Sequence, residues 1–421
     1  MKLIAYTLLL FSNLCWCQNW QSTSLFNNGG GQRFDDVFFL DENTGWAANG
    51  FFAAVYKTTD GGETWQTQLT ESDLGGAFYF RNIEFLDDQN GFLGTLNNLL
   101  LKTTDGGNTW LPVDNITPNP NAVCGLSALN AQTIFGCGAF FQPAFIIKSI
   151  DAGQTWTYTN MSDLATALVE IKFIDETTGY AGGQNAGGAC LLKTTDGGNT
   201  WIEVYNSGIP GEYVWKIQIL DNPNVVFGAV SSVAPHLGKL IKSFDAGNSW
   251  QSFDAPETNI QALGFISETK GWMGGHTTGF YETNDGGQTW TNTGIGNNLN
   301  RIIVLNTGLA YGCGTSVYKY SDTSLSIVDD EIKGKNVLDV TLKDNPVKSS
   351  LEFSVTFDSA DNLVIEIYDL SGKFIQQLSR DIVNSKQIKS YSFNVDHLAS
   401  GSYFLNFHSN TGRQSFKFIK Q

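Results

Sequence analysis

The chain has 421 residues, enough for two or more domains, and carries 41 acidic against 25 basic side chains, a net charge of −16. Binding nucleic acid requires clustered Lys and Arg, and no such cluster is present, which argues against that class of partner. The acidic balance suits a protein kept soluble outside the cell.

The chain opens on Lys2, a mostly apolar run over 3–11 and small or polar residues up to Cys17-Gln18. This pattern predicts a secretory signal peptide over 1–17, too short to span a bilayer as a helix. A lipoprotein reading on Cys15 or Cys17 competes, but the residues before each cysteine form a poor lipobox. No other stretch approaches about 18 uninterrupted apolar residues, so no transmembrane helix is expected.

Six copies of one phrase follow: KTTDGGETW at 57–65, KTTDGGNTW at 102–110, KSIDAGQTW at 148–156, KTTDGGNTW at 193–201, KSFDAGNSW at 242–250 and ETNDGGQTW at 282–290. A period of roughly 40 to 50 residues signals a propeller, solenoid or array. Each copy places a Trp five residues after its Asp, giving Asp60 with Trp65, Asp105 with Trp110, Asp151 with Trp156, Asp196 with Trp201, Asp245 with Trp250 and Asp285 with Trp290. Before each box lie two or three short apolar or aromatic-glycine runs, such as NIEFL at 82–86 and GFLGT at 91–95. Four short antiparallel strands per repeat make the blade of a β-propeller.

The box has a mechanical reading. Asp accepts backbone N–H bonds within its own turn, glycine supplies positive φ, and Trp buries a large ring. None of this needs a ligand; a calcium role for the aspartates is the competing reading.

Residues 301–322 form a seventh unit that lacks a Trp, while Trp20 stands alone near the start in a phrase, NWQST, that resembles the strand after a box. The expectation is that Trp20 opens the fourth strand of the last blade, so that both ends of the propeller share one sheet. Closure removes a sticky strand edge. The propeller is thus expected over 18–325, with seven blades.

Loop lengths separate two faces. The step from box Asp to Trp is always five, and the turn between strands one and two is nearly constant. Loops at the other end vary: Phe92 to Asp105 spans 13 residues and Phe227 to Asp245 spans 18. Variable loops on a fixed scaffold are where recognition usually resides, so any binding surface is expected at that mouth of the channel. Arg33, Asp35, Arg81, Glu170, Lys216, Gln261 and Arg301 should ring it, with Phe51, Phe52, Tyr79, Phe140, Phe141, Tyr213 and Trp215 nearby. The competing reading makes these ordinary rim charges and packing rings.

Of the cysteines after residue 17, none forms a CxxC pair, which disfavours structural zinc. Cys124 and Cys137 flank a turn at Asn130-Ala131 and could face each other as a disulfide; buried free thiols are the alternative. His236 and His276 fall in variable loops without HExxH or triad spacing. No metal or cofactor is expected.

The S/T-x-D-G/A-G-x-T/S-W phrase resembles the Asp box, or BNR repeat, of sialidases, xyloglucanases, sortilin-like receptors and photosystem II assembly and stability factor-like propellers. The strand pattern, with an aromatic-glycine strand before each box, looks most like the last group. The resemblance covers 19 to about 325 and implies fold more strongly than function. A sialidase-like glycosidase is the alternative. Such an enzyme would use an arginine triad, for which Arg33, Arg81 and Arg301 are candidates, but a Tyr–Glu pair cannot be placed.

After residue 322 a connector over 326–340 leads to six runs of period-two patterning, which predict a small β-sandwich over 341–421. The phrases Asn345-Pro346, IYDLSGK at 367–373, LASGSYFL at 398–405 and FKFIK at 416–420 resemble the C-terminal sorting domain of the type IX secretion system. That resemblance implies export through the periplasm to the outer surface or medium, with the secretion machinery as a partner. A sandwich that merely binds sugar or packs on the propeller is the alternative. The combined expectation is an all-β, non-enzymatic binding or assembly propeller, whose ligand is an unknown surface protein, peptide or glycan.

Overall fold

A computed structural model describes residues 19–26, 32–138, 143–321 and, apart from residues 344, 358–360, 370–373, 384–387 and 410–412, residues 338–421. The expected signal peptide, most of the connector, Phe140 and Phe141 lie outside these residues. The chain divides into two compact units, Met1–Ser324 and Leu325–Gln421.

The first unit contains seven four-stranded antiparallel sheets. Six are consecutive in sequence, over 34–69, 80–112, 123–160, 167–206, 213–254 and 260–292. The seventh joins strands over 301–321 to Asn19–Phe26, with Trp20 opposite Tyr320 and Gln21 opposite Lys319. The first strand of each blade packs on the first strand of the next, and that of blade 7 packs on that of blade 1. The result is a closed seven-bladed propeller, sealed by its N-terminal strand.

Rings bind blade to blade. Trp46 of blade 1 stacks on Phe85 of blade 2 at 3.6 Å, Phe135 of blade 3 on Phe173 of blade 4 at 3.5 Å, and Tyr311 of blade 7 on Phe39 of blade 1 at 3.5 Å. The box Trp then sets its edge on the same ring: Trp110 on Phe85, Trp201 on Phe173 and Trp65 on Phe39. Offset and edge-to-face pairs of this kind add about 0.5–1.5 kcal/mol each beyond area burial. Trp20, only 2% exposed, stacks on Phe280 of blade 6 at 3.9 Å and meets Trp272 edge-on at 5.3 Å.

The second unit is a sandwich of a three-stranded and a four-stranded antiparallel sheet over one core that includes Leu351, Phe353, Ile365, Leu405, Phe407 and Phe418. Two of its signature phrases meet: the Asn345 amide accepts from Ile419 N–H at 2.9 Å and donates to the Lys417 carbonyl at 3.1 Å. Asn345 thereby fixes the last strand of the chain.

Candidate functional site

Every blade carries the pattern apolar-x-x-apolar at the start of its first strand, as in Phe34-Asp35-Asp36-Val37 and Leu168-Val169-Glu170-Ile171. Strict alternation would put one residue, not two, between inward side chains. The extra residue becomes a bulge in blades 1 to 6, where the register slips beside Asp35, Arg81, Cys124, Val169, Trp215 and Gln261. Bulges re-aim side chains. Here they gather polar groups from different blades around the axis.

The charges that converge are paired. Glu170 of blade 4 accepts two bonds from Arg301 of blade 7, at 2.8 and 2.9 Å, and lies 3.2 Å from the Lys216 ammonium of blade 5. Arg301 also reaches Asp36 of blade 1 at 3.3 Å. Arg81 and Arg33 flank Asp35 at 3.4 and 3.5 Å, and Arg33 donates to Gln261. Arg81 lies over the Trp215 ring at 5.4 Å. Burial alone would push the Glu170 carboxyl up; Arg301 and then Lys216 outweigh it and hold it at about 2. Burial brings the Lys216 ammonium down to about 8 despite Glu170. Glu84, which accepts from Ala128 N–H at 3.1 Å and lies 4.0 Å from Lys172, is pushed upward by burial.

Most of the expected mouth residues do come together, but Arg81, Glu170, Lys216, Gln261 and Arg301 are buried in the channel instead of standing on an exposed rim. Tyr213 and Trp215 are half-buried, their rings edge-on at 5.6 Å. Sequence reasoning missed Asp36, Asn82, Glu84 and Asn300, which fill out the buried polar set. The mouth face exposes Phe51 and Phe52, 56% and 40% accessible, edge-on at 5.2 Å on the turn between the second and third strands of blade 1. In that turn Asn49 accepts from Phe52 N–H and Ala53 sits at φ 44°.

The opposite face holds the boxes. In all six, the Thr or Ser two residues before the Asp donates to it at 2.8 Å. The Thr or Ser four residues after it donates through both its N–H and its hydroxyl, for example Thr200 at 2.9 and 2.6 Å. These bonds, the side-chain one from Thr200 first, hold Asp196 at about 2. The aspartates are internal fasteners of their turns, and among the described residues no three His, Cys, Asp or Glu side chains could hold a metal ion.

The box lysine has a function the sequence reading did not assign. Lys57, Lys102, Lys148, Lys193 and Lys242 each donate to the carbonyl just after the box Asp of the next blade, at 2.5–3.1 Å. Each also lies over the strand-two aromatic of its own blade, at 5.0–5.8 Å. Lys319 of blade 7 closes the circuit on Gly61 at 3.2 Å. Only blade 6 departs: Glu282 replaces Lys and accepts from its own Trp272 indole at 2.9 Å. Blade 7 has no box carbonyl to receive a lysine.

Of the two alternatives for Cys124 and Cys137, the disulfide is not the one found. Both thiols are buried and free, as are Cys190 and Cys313. Gly125, not Cys124, stands opposite Cys137, because the pairs running outward from Ala128 and Ile134 centre the turn on Ala131. No described helix is long and apolar enough to cross a membrane.

Fold and box geometry define an Asp-box propeller joined to a β-sandwich. Residues 14–157 match the photosynthesis system II assembly factor YCF48 family, and residues 344–421 match the secretion system C-terminal sorting domain. The sorting domain directs type IX export to the cell surface or the medium. Among solved structures, YCF48 bound to D1 peptide is similar at 18% identity and a TM-score of 0.55, covering 72% of this chain and 96% of that one. PorZ, a surface component of the type IX secretion system of Porphyromonas gingivalis, is similar at 14% identity and a TM-score of 0.56, covering 95% of this chain and 61% of its own. An ancestral GH74 enzyme is similar at 16% identity and a TM-score of 0.53, covering 94% of this chain and 63% of that one. At these identities the likeness carries the fold alone. Among curated proteins, none matches the chain in sequence.

Proposed function

We propose that this is a non-enzymatic binding or assembly module, exported by the type IX route, whose propeller engages an extended segment of a surface partner at the variable-loop mouth. The observation that carries this reading is the division of labour at the mouth. The channel charges are paired with one another, while Phe51 and Phe52 of blade 1 stay exposed, and Arg33, Tyr79, Tyr213 and Trp215 are half-buried. Aromatic side chains, Phe among them, are enriched where proteins meet. The YCF48 structure bound to a peptide supports an extended peptide as occupant.

A glycosidase reading has the GH74 fold likeness in its favour. A sialidase-type triad needs three arginines free for a substrate carboxylate. Instead, Arg301 is engaged by Glu170 and Asp36, and Arg33 and Arg81 flank Asp35. That pairing favours the binder.

An array of peptides, surface proteins and glycans tests the proposal. Binding by the intact chain should fall at least ten-fold in a Phe51→Ser, Phe52→Ser variant whose melting curve is unchanged. Equal binding by that variant, or release of sugar from an arrayed glycan, would reject it. Removal of 345–421 should leave the propeller inside the cell, and its continued export would reject the address role of the tail.

A further inference from the structure

A cavity of about 330 Å³ opens on the box face, away from the mouth, between the ends of the first strands of blades 5, 6 and 7. Its walls are half-buried Ile219, Leu220, Ile266 and Leu305, and its rim carries exposed Asp221 and Glu268. Two departures from the repeat lie near it. The strand one–two turn of blade 5, which contains Asp221, is one residue longer than its counterparts in blades 1, 2, 4, 6 and 7. Between blades 5 and 6, Gln218 clamps the Phe265 backbone, donating to its carbonyl at 2.8 Å and accepting from its N–H at 2.7 Å. The matching residue between blades 6 and 7 is Gly264, which has no side chain to clamp with, and a Cβ there would lie 2.2 Å from Ile302.

The two charges on the rim of the cavity are both acidic, with Lys270 in the same turn as Glu268. The propeller's basic side chains are largely spent internally: six lysines close the box circuit and Arg33, Arg81, Lys172, Lys216 and Arg301 lie in the channel. The strand one–two turns of this face present Asp41, Glu42, Asp87, Asp88, Asp175 and Glu176 as well as the box aspartates. None of the ion pairs among the described residues neutralises Asp221 or Glu268.

We propose that this cavity is a second binding site, which takes a Lys or Arg side chain from a basic segment of a protein partner. The aliphatic stem lies against Ile219, Leu220, Ile266 and Leu305, and the charged head meets Asp221 and Glu268. Long basic side chains divide in this way between an apolar wall and a polar rim. Complementary charge on the surrounding face steers the approach and makes it salt-dependent.

The test is fluorescence anisotropy of a labelled hexalysine peptide with the intact chain at low and at 0.3 M salt. The variant Asp221→Asn, Glu268→Gln should bind about ten-fold more weakly, as two exposed charge contacts are lost. Ser267→Trp, which fills the cavity without changing charge, should weaken binding as much. Glu42→Gln with Glu176→Gln, on the same face at blades 1 and 4, should stay within about two-fold of the parent. Phe51→Ser with Phe52→Ser should leave hexalysine binding intact, which separates this site from the mouth. Equal losses in the two charge-neutralised variants would show a diffuse acidic field only and overturn the proposal. Unchanged binding by Ser267→Trp would also overturn it, as would capture of spermine but not hexalysine, which would assign the cavity to a small polyamine.

Discussion

Blades 1 to 6 and blade 7 reach the same four-stranded form by different means. In each of the six, the turn before the fourth strand is tied by its own Asp, Thr or Ser and glycine amides within a few residues. The seventh has no box and takes its fourth strand from the far end of the domain, where Trp20 is buried among Trp272, Phe280 and Tyr320. The contrast separates a local fastener, repeated and individually dispensable, from a single non-local one on which closure depends.

Removing 19–26 should have the largest effect, since it strips a strand, exposes the edge of 316–321 and unburies the rings around Trp20. Trp20→Ala alone should cost about 3–5 kcal/mol. Calorimetry that found the deletion no worse than a box mutation would erase the distinction between the two kinds of blade.

Next is Glu170→Gln, which leaves Arg301 and Lys216 short of their shared partner and should cost about 3 kcal/mol. Glu170 is held down at about 2 against an ordinary value of 4.5, so its contribution is complete above 4.5 and disappears as pH falls from there toward 2. The exposed box aspartates are shifted in the same direction, whereas Glu84, shifted upward, works in the opposite one. Urea midpoints measured from pH 6 to pH 2 should fall in the parent and fall less in Glu170→Gln. Parallel curves would place the acid sensitivity in the boxes.

A single box should matter less. Thr103→Val leaves the Gly107 amide without its acceptor and Asp105 with one donor fewer, for a loss of about 1–3 kcal/mol. The smallest effect belongs to Glu282→Lys, which restores the box consensus where the next blade has no carbonyl to receive it. The melting temperature should not rise, and a clear rise would mean that the lysine acts through the Trp272 ring alone.

The fold was legible because the box is a phrase of fixed spacing, and the orphan Trp20 together with the Trp-less seventh unit foretold the shared blade. The site was less legible. Arg33, Arg81, Glu170, Lys216 and Arg301 could be placed near the axis by counting along strand one, but their pairing depends on side chains crossing between blades up to three apart in the ring. The bulge was written in the sequence as two residues between apolar positions, repeated in all seven units, and was overlooked in favour of regular alternation. The Cys124–Cys137 alternative fails on a different point: the turn centres on Ala131 and not between Asn130 and Ala131, so Gly125 takes the place opposite Cys137. The lysine circuit, too, could have been suspected from a lysine that opens every box except the one preceding the boxless blade.

Ser22 bonds to Ser316 across 294 positions of chain. During synthesis the segment 19–26 emerges first and waits for its partner until nearly the whole domain has followed. Until then a bare strand and a large indole are open to any passing β-edge. Completion of the ring is therefore a late event with a steep loop-closure requirement, and a chain shortened at either extremity of the propeller forfeits the same joint.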